Sequence, residues 1–318
     1  MSTGRTVRTV LGDVAPGELG ACDAHDHLFF AAPMLAGQEL DDPVAAQAEL
    51  ESFRALGGGA LAQWTPFGLG RMASSLPAVS RATGVHLIAA TGLHQAVHYD
   101  PAVLNRLGGR DEHALAAFFV SELTEGLLDG DDPGGPRGTP KAGMIKVAGM
   151  FHGLDTHTRR VMAAAAEAHH ATGAPIGVHH EMGTAAVDVL ALLHEELGVP
   201  VTSIVLGHLN RFPDSGIHRE LAASGAFLAF DGPSRAHHAT DWRLLECLEA
   251  LAAAGHTGQL LVGGDTTSAS GRAATGGGPG VPFLLRVLRP RIASALGEEA
   301  AQAVFVGNPA RAFAADWR

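Results

Sequence analysis

The segment AGMIKVAG (142–149) is a short apolar run in which a lysine, Lys146, stands where a strand would end. One unit further along, APIGVHH (174–180) brings His179 to the corresponding place, and SIVLGH (203–208) repeats the pattern with another histidine. Between these runs lie amphipathic or alanine-rich stretches of helical character. Short β-like runs that alternate with helical ones are typical of a parallel sheet whose strands are connected by helices.

The same alternation continues along the chain of 318 residues. The pattern predicts helices over residues 43–56, 158–172 and 241–254, each of which is followed by a glycine. Eight strands with helices between them predict an α/β protein, a (β/α)₈ TIM barrel that forms one domain over residues 1–318. The predicted strands end near His27, Trp64, Thr91, Val147, His179, His208, Asp231 and Asp265.

Two segments are predicted to be long loops. Residues 129–140 (DGDDPGGPRGTP) precede the fourth strand, and residues 266–280 (TTSASGRAATGGGPG) follow the eighth. Because the active sites of such barrels lie at the C-terminal ends of the strands, we expect the second loop to cover the mouth. Its glycines are compatible with close backbone approach to a ligand and equally with a mobile lid.

Composition and charge restrict the class of protein. Hydrophobic residues make up 46% of the chain and charged residues 17%, which suits a large core and excludes a disordered chain. The net charge of −11 argues against a nucleic acid or an anionic membrane as a partner. No signal peptide and no apolar run of about 20 residues is visible. Since two cysteines, Cys22 and Cys247, make no disulfide framework, we expect a cytoplasmic protein. The expected partner is a small-molecule substrate.

The strand ends carry the chemistry. His25 and His27 are two residues apart at the end of the first strand, so both side chains can point to the same side. The other candidates each close an apolar strand, and in a barrel these ends converge on one mouth. We therefore expect a binuclear metal centre at the C-terminal face of the strands. The six candidate ligands are His25, His27, Lys146, His179, His208 and Asp265.

Lys146 has two interpretations. Its ammonium group could reach solvent or pair with a carboxylate, as lysines at strand ends often do. Alternatively, burial beside two cations would remove its proton, and the neutral amine could capture CO₂ to give a carbamate that bridges two metals. The chain has only two lysines among 22 basic residues, yet keeps one here. The donor set suits two ions of Zn²⁺, with Mn²⁺, Co²⁺ or Ni²⁺ as substitutes.

Several segments together resemble the phosphotriesterase family of the amidohydrolase superfamily, nearly end to end. The resemblance implies that His25, His27 and Asp265 hold the more buried metal. It implies that His179 and His208 hold the more exposed one, with carboxylated Lys146 as the bridge. The segments that carry the resemblance are DAHDHL (23–28), WTPFGLGRM (64–72), HLIAATG (86–92), KAGMIKVAG (141–149), ATGAPIGVHHEMGT (171–184), IVLGHLNRFPD (204–214), LLVGGDTT (260–267) and VGNPARAF (306–313).

Within that family, GHLNRFPD (207–214), GAFLAFDG (225–232) and GGGPG (276–280) look closer to the sugar-lactonase branch, some of which take phosphorylated sugar lactones. In the organophosphate-degrading type, an aspartate and a histidine form a relay behind the metal-bound aspartate. The matching positions here are Arg211 and Gly232, so we expect no relay. A homodimer is usual among similar proteins, and we expect one.

The expected reaction is lactone opening by a hydroxide that bridges the two metals, with the carbonyl polarised by the exposed metal. Asp265 would be the catalytic residue that takes the proton and delivers it to the leaving alkoxide. Asp231 would orient a substrate hydroxyl, or else serve as a helix cap or turn residue. The candidate substrate-binding residues are Arg211, Asp231, Arg235, Arg272 and His94.

Two other functions compete with this prediction. A hydrolase of phosphotriesters or organophosphates could use the same metal centre. The second alternative is a protein that binds metal but has no catalytic turnover, because a fold does not fix a function. The intact set of six ligands argues against it, since a site that has lost its activity usually loses a ligand.

Overall fold

The computed structural model describes residues 4–109, 111–232 and 241–318. Its centre is a sheet of eight parallel strands in sequential order. The first and the eighth strand also meet, because the backbone amide of Asp265, just after the eighth strand, donates to the carbonyl of His25 in the first strand over 2.9 Å. The sheet is therefore closed into the predicted (β/α)₈ barrel. The barrel strands are β3 (Ala21–Asp26), β4 (Gly58–Gln63), β5 (His86–Gly92), β6 (Met144–Ala148), β7 (Ile176–His179), β8 (Ile204–Leu206), β9 (Phe227–Asp231) and β10 (Leu260–Gly263).

A small antiparallel sheet joins the two ends of the chain, with the first strand of the chain paired to both the second and the last. Val7 pairs with Ala314 in its register, and the side chain of Phe313 packs with Val7 among the residues of the barrel interior. The sheet closes the N-terminal end of the barrel, which leaves the opposite end open. Its strands are β1 (Thr6–Thr9), β2 (Gly12–Val14) and β11 (Ala314–Ala315).

Helices cover the outside of the barrel, and their ends follow local capping. Asp42 accepts hydrogen bonds from two amides in the first turn of the helix Pro43–Ala55 (α1). Gly173 ends the helix Thr156–Thr172 (α5) in the left-handed conformation, at φ 82°. Asp155 caps α5, so this helix begins two residues before the predicted start. The helices are α1 (Pro43–Ala55), α2 (Leu76–Thr83), α3 (Pro101–Arg106), α4 (Glu112–Thr124), α5 (Thr156–Thr172), α6 (Ala186–Leu190), α7 (Ser215–Ser224), α8 (Leu244–Ala253), α9 (Ala273–Gly276), α10 (Arg289–Leu296), α11 (Glu298–Gln302) and α12 (Asn308–Ala312).

Trp64 fills the barrel beneath the open end. Its indole is fully buried, and Nε1 donates a hydrogen bond of 2.8 Å to the carbonyl of Ala24. Glycine is required beside it, because a Cβ at Gly177 would lie 2.9 Å from the indole. The imidazole of His25 stacks on Trp64 with centroids 3.9 Å apart, so this ring is the floor on which the strand-end residues rest.

Over the residues that the structure describes, no helix is both long and apolar enough to cross a membrane. The predicted loop 266–280 is not irregular throughout, because it contains α9 and a short 3₁₀ turn at Ala269–Gly271. It packs against α1 rather than standing clear of the barrel, so the alternative of a free lid is not what the structure shows.

Candidate metal centre

All six predicted ligands line one cavity of about 340 Å³ at the C-terminal ends of the barrel strands. His25, Lys146 and His179 lie on β3, β6 and β7, and the other three ligands lie within two residues of the ends of β3, β8 and β10. Nε2 of His27 lies 3.4 Å from Oδ1 of Asp265, and Nε2 of His25 lies 3.7 Å from the same oxygen. Donor atoms of His25, His208 and Asp265 lie within 4.8 Å of one another, which is the spacing of side chains that can hold a common ion.

The backbone is strained where the ligands gather. His208 has φ 63° and Asp265 has φ 50°, both in the left-handed region that non-glycine residues rarely adopt. Close approach of two strands contributes, since a Cβ at Gly263 would lie 2.6 Å from Cβ of His25. Strain of this kind persists where the surrounding structure enforces a functional geometry, and here it turns two donor groups toward the cavity.

The ring orientation of His27 is fixed from behind. Its Nδ1 lies 2.7 Å from Oγ1 of Thr65, and that hydroxyl donates its own proton to the carbonyl of Phe29. The hydroxyl must therefore accept from Nδ1, which leaves the lone pair of Nε2 directed at the cavity. Sequence reasoning did not find Thr65, because it contacts a ligand 38 residues away on a neighbouring strand.

Asp231 takes a different place from the predicted one. Its side chain is 1% exposed and accepts a hydrogen bond from Nδ1 of His208, while Oδ1 lies 2.9 Å from Nδ1 of His25. The carboxylate sits behind two candidate ligands and does not line the cavity, so the structure does not offer it to a substrate hydroxyl. Buried carboxylates that receive Nδ1–H orient the opposite ring nitrogen toward a metal.

The histidines of the site are suited to ligation. Burial lowers the pKa of His27 and His208, and that of His179 to about 4, so these imidazoles are neutral at pH 7. A neutral imidazole has the lone pair that a metal requires. Nε2 of His179 lies 3.2 Å from Oε2 of Glu181, which leaves Nδ1 as its free nitrogen. The adjacent His180 is buried with its Nδ1 on the carbonyl of Gly207, so it is His179 that faces the cavity.

Lys146 is 2% exposed, and among the residues that the structure describes no carboxylate lies within 4.0 Å of its Nζ. The ammonium group of Lys146 therefore neither reaches solvent nor forms a direct ion pair with a described carboxylate, which were the two features of the first interpretation. Burial lowers the pKa of Lys146 to about 7, against an ordinary value of 10.5. The side chain is thus held as a readily neutralised amine that faces a cluster of metal-binding groups, which fits the predicted carbamate.

Arg211 lines the cavity and donates to Oδ2 of Asp265. Burial alone would raise the pKa of Asp265, but the Arg211 guanidinium and neighbouring histidines hold it well below its usual range. The position that the resemblance assigns to a relay aspartate therefore carries a cation that acts on the same carboxylate. His94 also lines the cavity, with its ring 4.5 Å from that of His179.

Two predicted substrate residues lie elsewhere. Arg272 is 2% exposed and donates to the carbonyl of Leu28, so its guanidinium is bound within the protein and does not reach the cavity. The physical reason is that the eighth loop folds back on α1 and turns this side chain inward. Arg235 lies outside the described residues.

An apolar rim, which the sequence analysis did not single out, borders the other side of the cavity. Its side chains come from the loops after β3, β5 and β7, and several remain exposed, with Met34 at 69% and Val97 at 74%. Large exposed apolar side chains at one cavity are a mark of a binding surface. The residues of the apolar rim are Phe30, Met34, Leu35, Val97 and Met182.

Comparison with known proteins shows the family of this chain. The sequence model of the Phosphotriesterase family matches residues 5–313. The chain belongs to the phosphotriesterase family. The family consists of hydrolases with a binuclear metal centre, and this member is a hydrolase that acts on ester bonds. The fold and the family predicted from the sequence are thereby confirmed.

Individual relatives of this phosphotriesterase-family chain include lactonases. A phospho-furanose lactonase of Mycoplasmopsis agalactiae is 30% identical over 251 residues, which cover 76% of this chain and 70% of that protein. A lactonase of Listeria monocytogenes superposes with a TM-score of 0.87 at 28% identity, covering 97% of this chain and 98% of that one. The phosphotriesterase homology protein of Escherichia coli, whose structure holds phosphate in the active site, gives a TM-score of 0.84 at 26% identity, with coverages of 93% and 99%.

Proposed function

We propose that this member of the phosphotriesterase family is a metal-dependent lactonase. The observation that carries the proposal is the complete set of six candidate ligands in one cavity, with the rings of His27 and His208 oriented by hydrogen bonds from behind. Similarity to a phospho-furanose lactonase and to a solved lactonase supports the choice of a lactone over other esters.

The proposed metal ligands follow the family arrangement. His25, His27 and Asp265 would hold the more buried ion, and His179 and His208 the more exposed one. Carboxylated Lys146 would bridge them, which accounts for a buried amine that makes no direct ion pair among the described residues. The nitrogen and oxygen donors suit Zn²⁺ first, and Mn²⁺, Co²⁺ or Ni²⁺ as well.

Two divalent ions, when bound, would supply a hydroxide nucleophile at neutral pH and polarise the lactone carbonyl. The protein's own part in the reaction centres on Asp265, which accepts a proton from the nucleophile and returns it to the ring oxygen of the leaving alkoxide. Arg211 keeps this carboxylate ionised until it is needed. Nδ1 of His94 accepts from the amide of Gln95, so Nε2–H is available to donate to substrate.

The proposed substrate is a five-membered sugar lactone, and a phosphorylated one is the first form to test. Arg211 lines the cavity and Arg235 is the second candidate cation for a phosphate, whereas Arg272 is committed to Leu28. The apolar rim favours a second candidate, a lactone that carries an apolar substituent beside the ring.

A panel of γ-lactones assayed against paraoxon tests the proposal. The panel contains sugar lactones with and without phosphate and lactones with an alkyl substituent. We expect kcat/KM for the best lactone to exceed that for paraoxon by at least about a hundredfold, roughly 2.7 kcal/mol of transition-state discrimination. Equal or better turnover of paraoxon would establish the organophosphate alternative on the same centre. Inactivity of the fully metallated protein on both would favour a binding protein without turnover.

Three properties accompany the proposed function and stay predictions. The chain forms a homodimer, resides in the cytoplasm and binds no nucleic acid. Its net charge of −11 supports the last of these.

A further inference from the structure

The eighth loop, residues 266–280, and the residue that follows it, Val281, are attached to a buried carboxylate outside the metal centre. Glu49 lies on α1 and is 1% exposed. Its Oε1 accepts from the backbone amide of Val281 over 2.9 Å and from that of Ala273 over 3.3 Å. Its Oε2 accepts from the amide of Ala274 over 2.9 Å. One side chain thus binds both the middle and the far end of the loop.

The loop is shaped around this carboxylate. Gly280 has φ +57°, and a Cβ there would lie 1.9 Å from Oε1 of Glu49. Glycine is therefore required on grounds of both conformation and space. A buried carboxylate is costly unless donors surround it, and the donors nearest to Glu49 are amides of the eighth loop. The carboxylate and the loop conformation consequently depend on each other.

Further contacts fasten the rest of the loop to the first barrel strand and the segment after it. The amide of Thr266 donates to Oδ1 of Asp26 over 2.8 Å, and the amide of Ala269 donates to the carbonyl of Gln38 over 2.9 Å. Arg272 donates to the carbonyl of Leu28, the residue after a candidate ligand. The two halves of the loop are also joined, because the amide of Gly280 donates to the carbonyl of Gly271 over 3.0 Å and that of Gly278 to the carbonyl of Arg272 over 3.1 Å. A shift of the far half on loss of Glu49 would therefore reach the near half through these bonds.

The near half contributes to the cavity, because Thr267 lines it beside Asp265. We infer that Glu49 is a positioning residue that holds the eighth loop as a fixed wall of the substrate cavity rather than as a lid. Among the described residues, the side chain of Glu49 hydrogen-bonds only to amides of the loop and of Val281 and does not line the cavity, so its effect on substrate is transmitted through the loop. The kinetic part of this inference rests on the proposed lactonase function, whereas the structural part does not.

Hydrogen exchange of the metal-loaded protein tests the structural part. In Glu49→Gln, one oxygen becomes an amide that cannot accept, so at least one loop amide loses its partner. We expect exchange in peptides that cover 266–281 to be about tenfold faster, with exchange in the other barrel strands unchanged. Gly280→Ala perturbs the same contact from the loop side, keeps the carboxylate and serves if the first variant folds poorly.

Kinetics with the best lactone test the consequence for substrate binding. We expect Glu49→Gln to raise KM about fivefold while kcat stays within about twofold, because the metal ligands are not disturbed. The matched control is Glu122→Gln, which alters a buried carboxylate on α4 that contacts Arg71 and Thr91 and not the loop. It should lower Tm without the change in KM or in loop exchange.

The outcomes separate the two ideas. If the loop amides of folded Glu49→Gln or Gly280→Ala exchange as slowly as in wild type, Glu49 does not anchor the loop. If they exchange faster but KM equals that of wild type, Glu49 has no role in substrate positioning. If wild type opens no lactone at all, the proposed function fails, while exchange alone still decides whether Glu49 anchors the loop.

Discussion

Oδ1 of Asp231 lies 2.9 Å from Nδ1 of His25, and the other oxygen of the same carboxylate accepts from Nδ1 of His208. One buried group therefore lies beside imidazoles at the ends of the first and sixth barrel strands, and its hydrogen bond orients the ring of His208. An asparagine at this position keeps the shape but offers one acceptor oxygen in place of two. We expect Asp231→Asn to weaken metal binding by about 10- to 100-fold. Competition titration with a chelator measures the metal affinity. The control is Asp188→Asn, which makes the same change at an exposed position. Equal metal affinity in the two variants contradicts the orienting role of Asp231.

Lys146→Ala should lose metal and activity together. Wild type is expected to hold about two equivalents of divalent metal per chain and to lose activity on exhaustive chelation. A short carboxylic acid such as acetate or propionate should restore part of both in Lys146→Ala by replacing the bridge. Lys146→Arg should not recover, because a guanidinium stays protonated. Two metals retained in Lys146→Ala without added acid, measured by elemental analysis, would exclude a carbamate bridge.

The pKa of Lys146, about 7 because of burial, gives a pH test on the metal-free protein. The neutral amine reacts with CO₂, and its fraction rises as pH passes through the pKa. At constant dissolved CO₂, we expect the rate of carbamate formation to rise about tenfold from pH 6 to 8 and then level off. A lysine with the ordinary pKa would show a rise of about a hundredfold that continues beyond pH 9. Carbon-13 NMR with labelled CO₂ distinguishes the two profiles.

Arg211 should set the acidic limit of activity. The guanidinium donates to Asp265 and lowers its pKa, so removal of the cation raises the pKa of that carboxylate. A protonated Asp265 cannot accept a proton from the nucleophile. We expect the acidic limb of kcat/KM in Arg211→Met to move to higher pH by about one unit. Arg211→Lys retains the positive charge and should keep most of the wild-type profile. An unshifted limb in Arg211→Met would show that this cation does not act on Asp265.

The sequence was sufficient for the barrel and for the grouping of the candidate ligands. Both depend on chain order, because residues that close successive parallel strands must meet at one end of a barrel. Lys146 and His208 were found in this way. Thr65 and Asp231 are different, since their contacts cross between strands and depend on which way a side chain turns.

Loop residues were the least predictable. Arg272 follows the eighth strand closely enough to suggest a substrate contact, yet its side chain points inward to Leu28. The two residues after it, Ala273 and Ala274, donate to the carboxylate of Glu49, which is more than 200 residues earlier in the chain. Neither hydrophobic periodicity nor motif spacing carries information about a contact of this range.

The junction between the first and eighth barrel strands also bears on how the protein is assembled. Thr266 and Asp26 meet across 240 residues of sequence, and contacts of such long range carry a high loop-closure cost and are typical of slow folding. Candidate ligands His25 and Asp265 stand on either side of the junction. An ion held between them would bind the closed barrel and not the open chain, and its binding free energy would add to the stability of the closed state by mass action. Metal supply would then influence how much of the protein is in the closed, folded state.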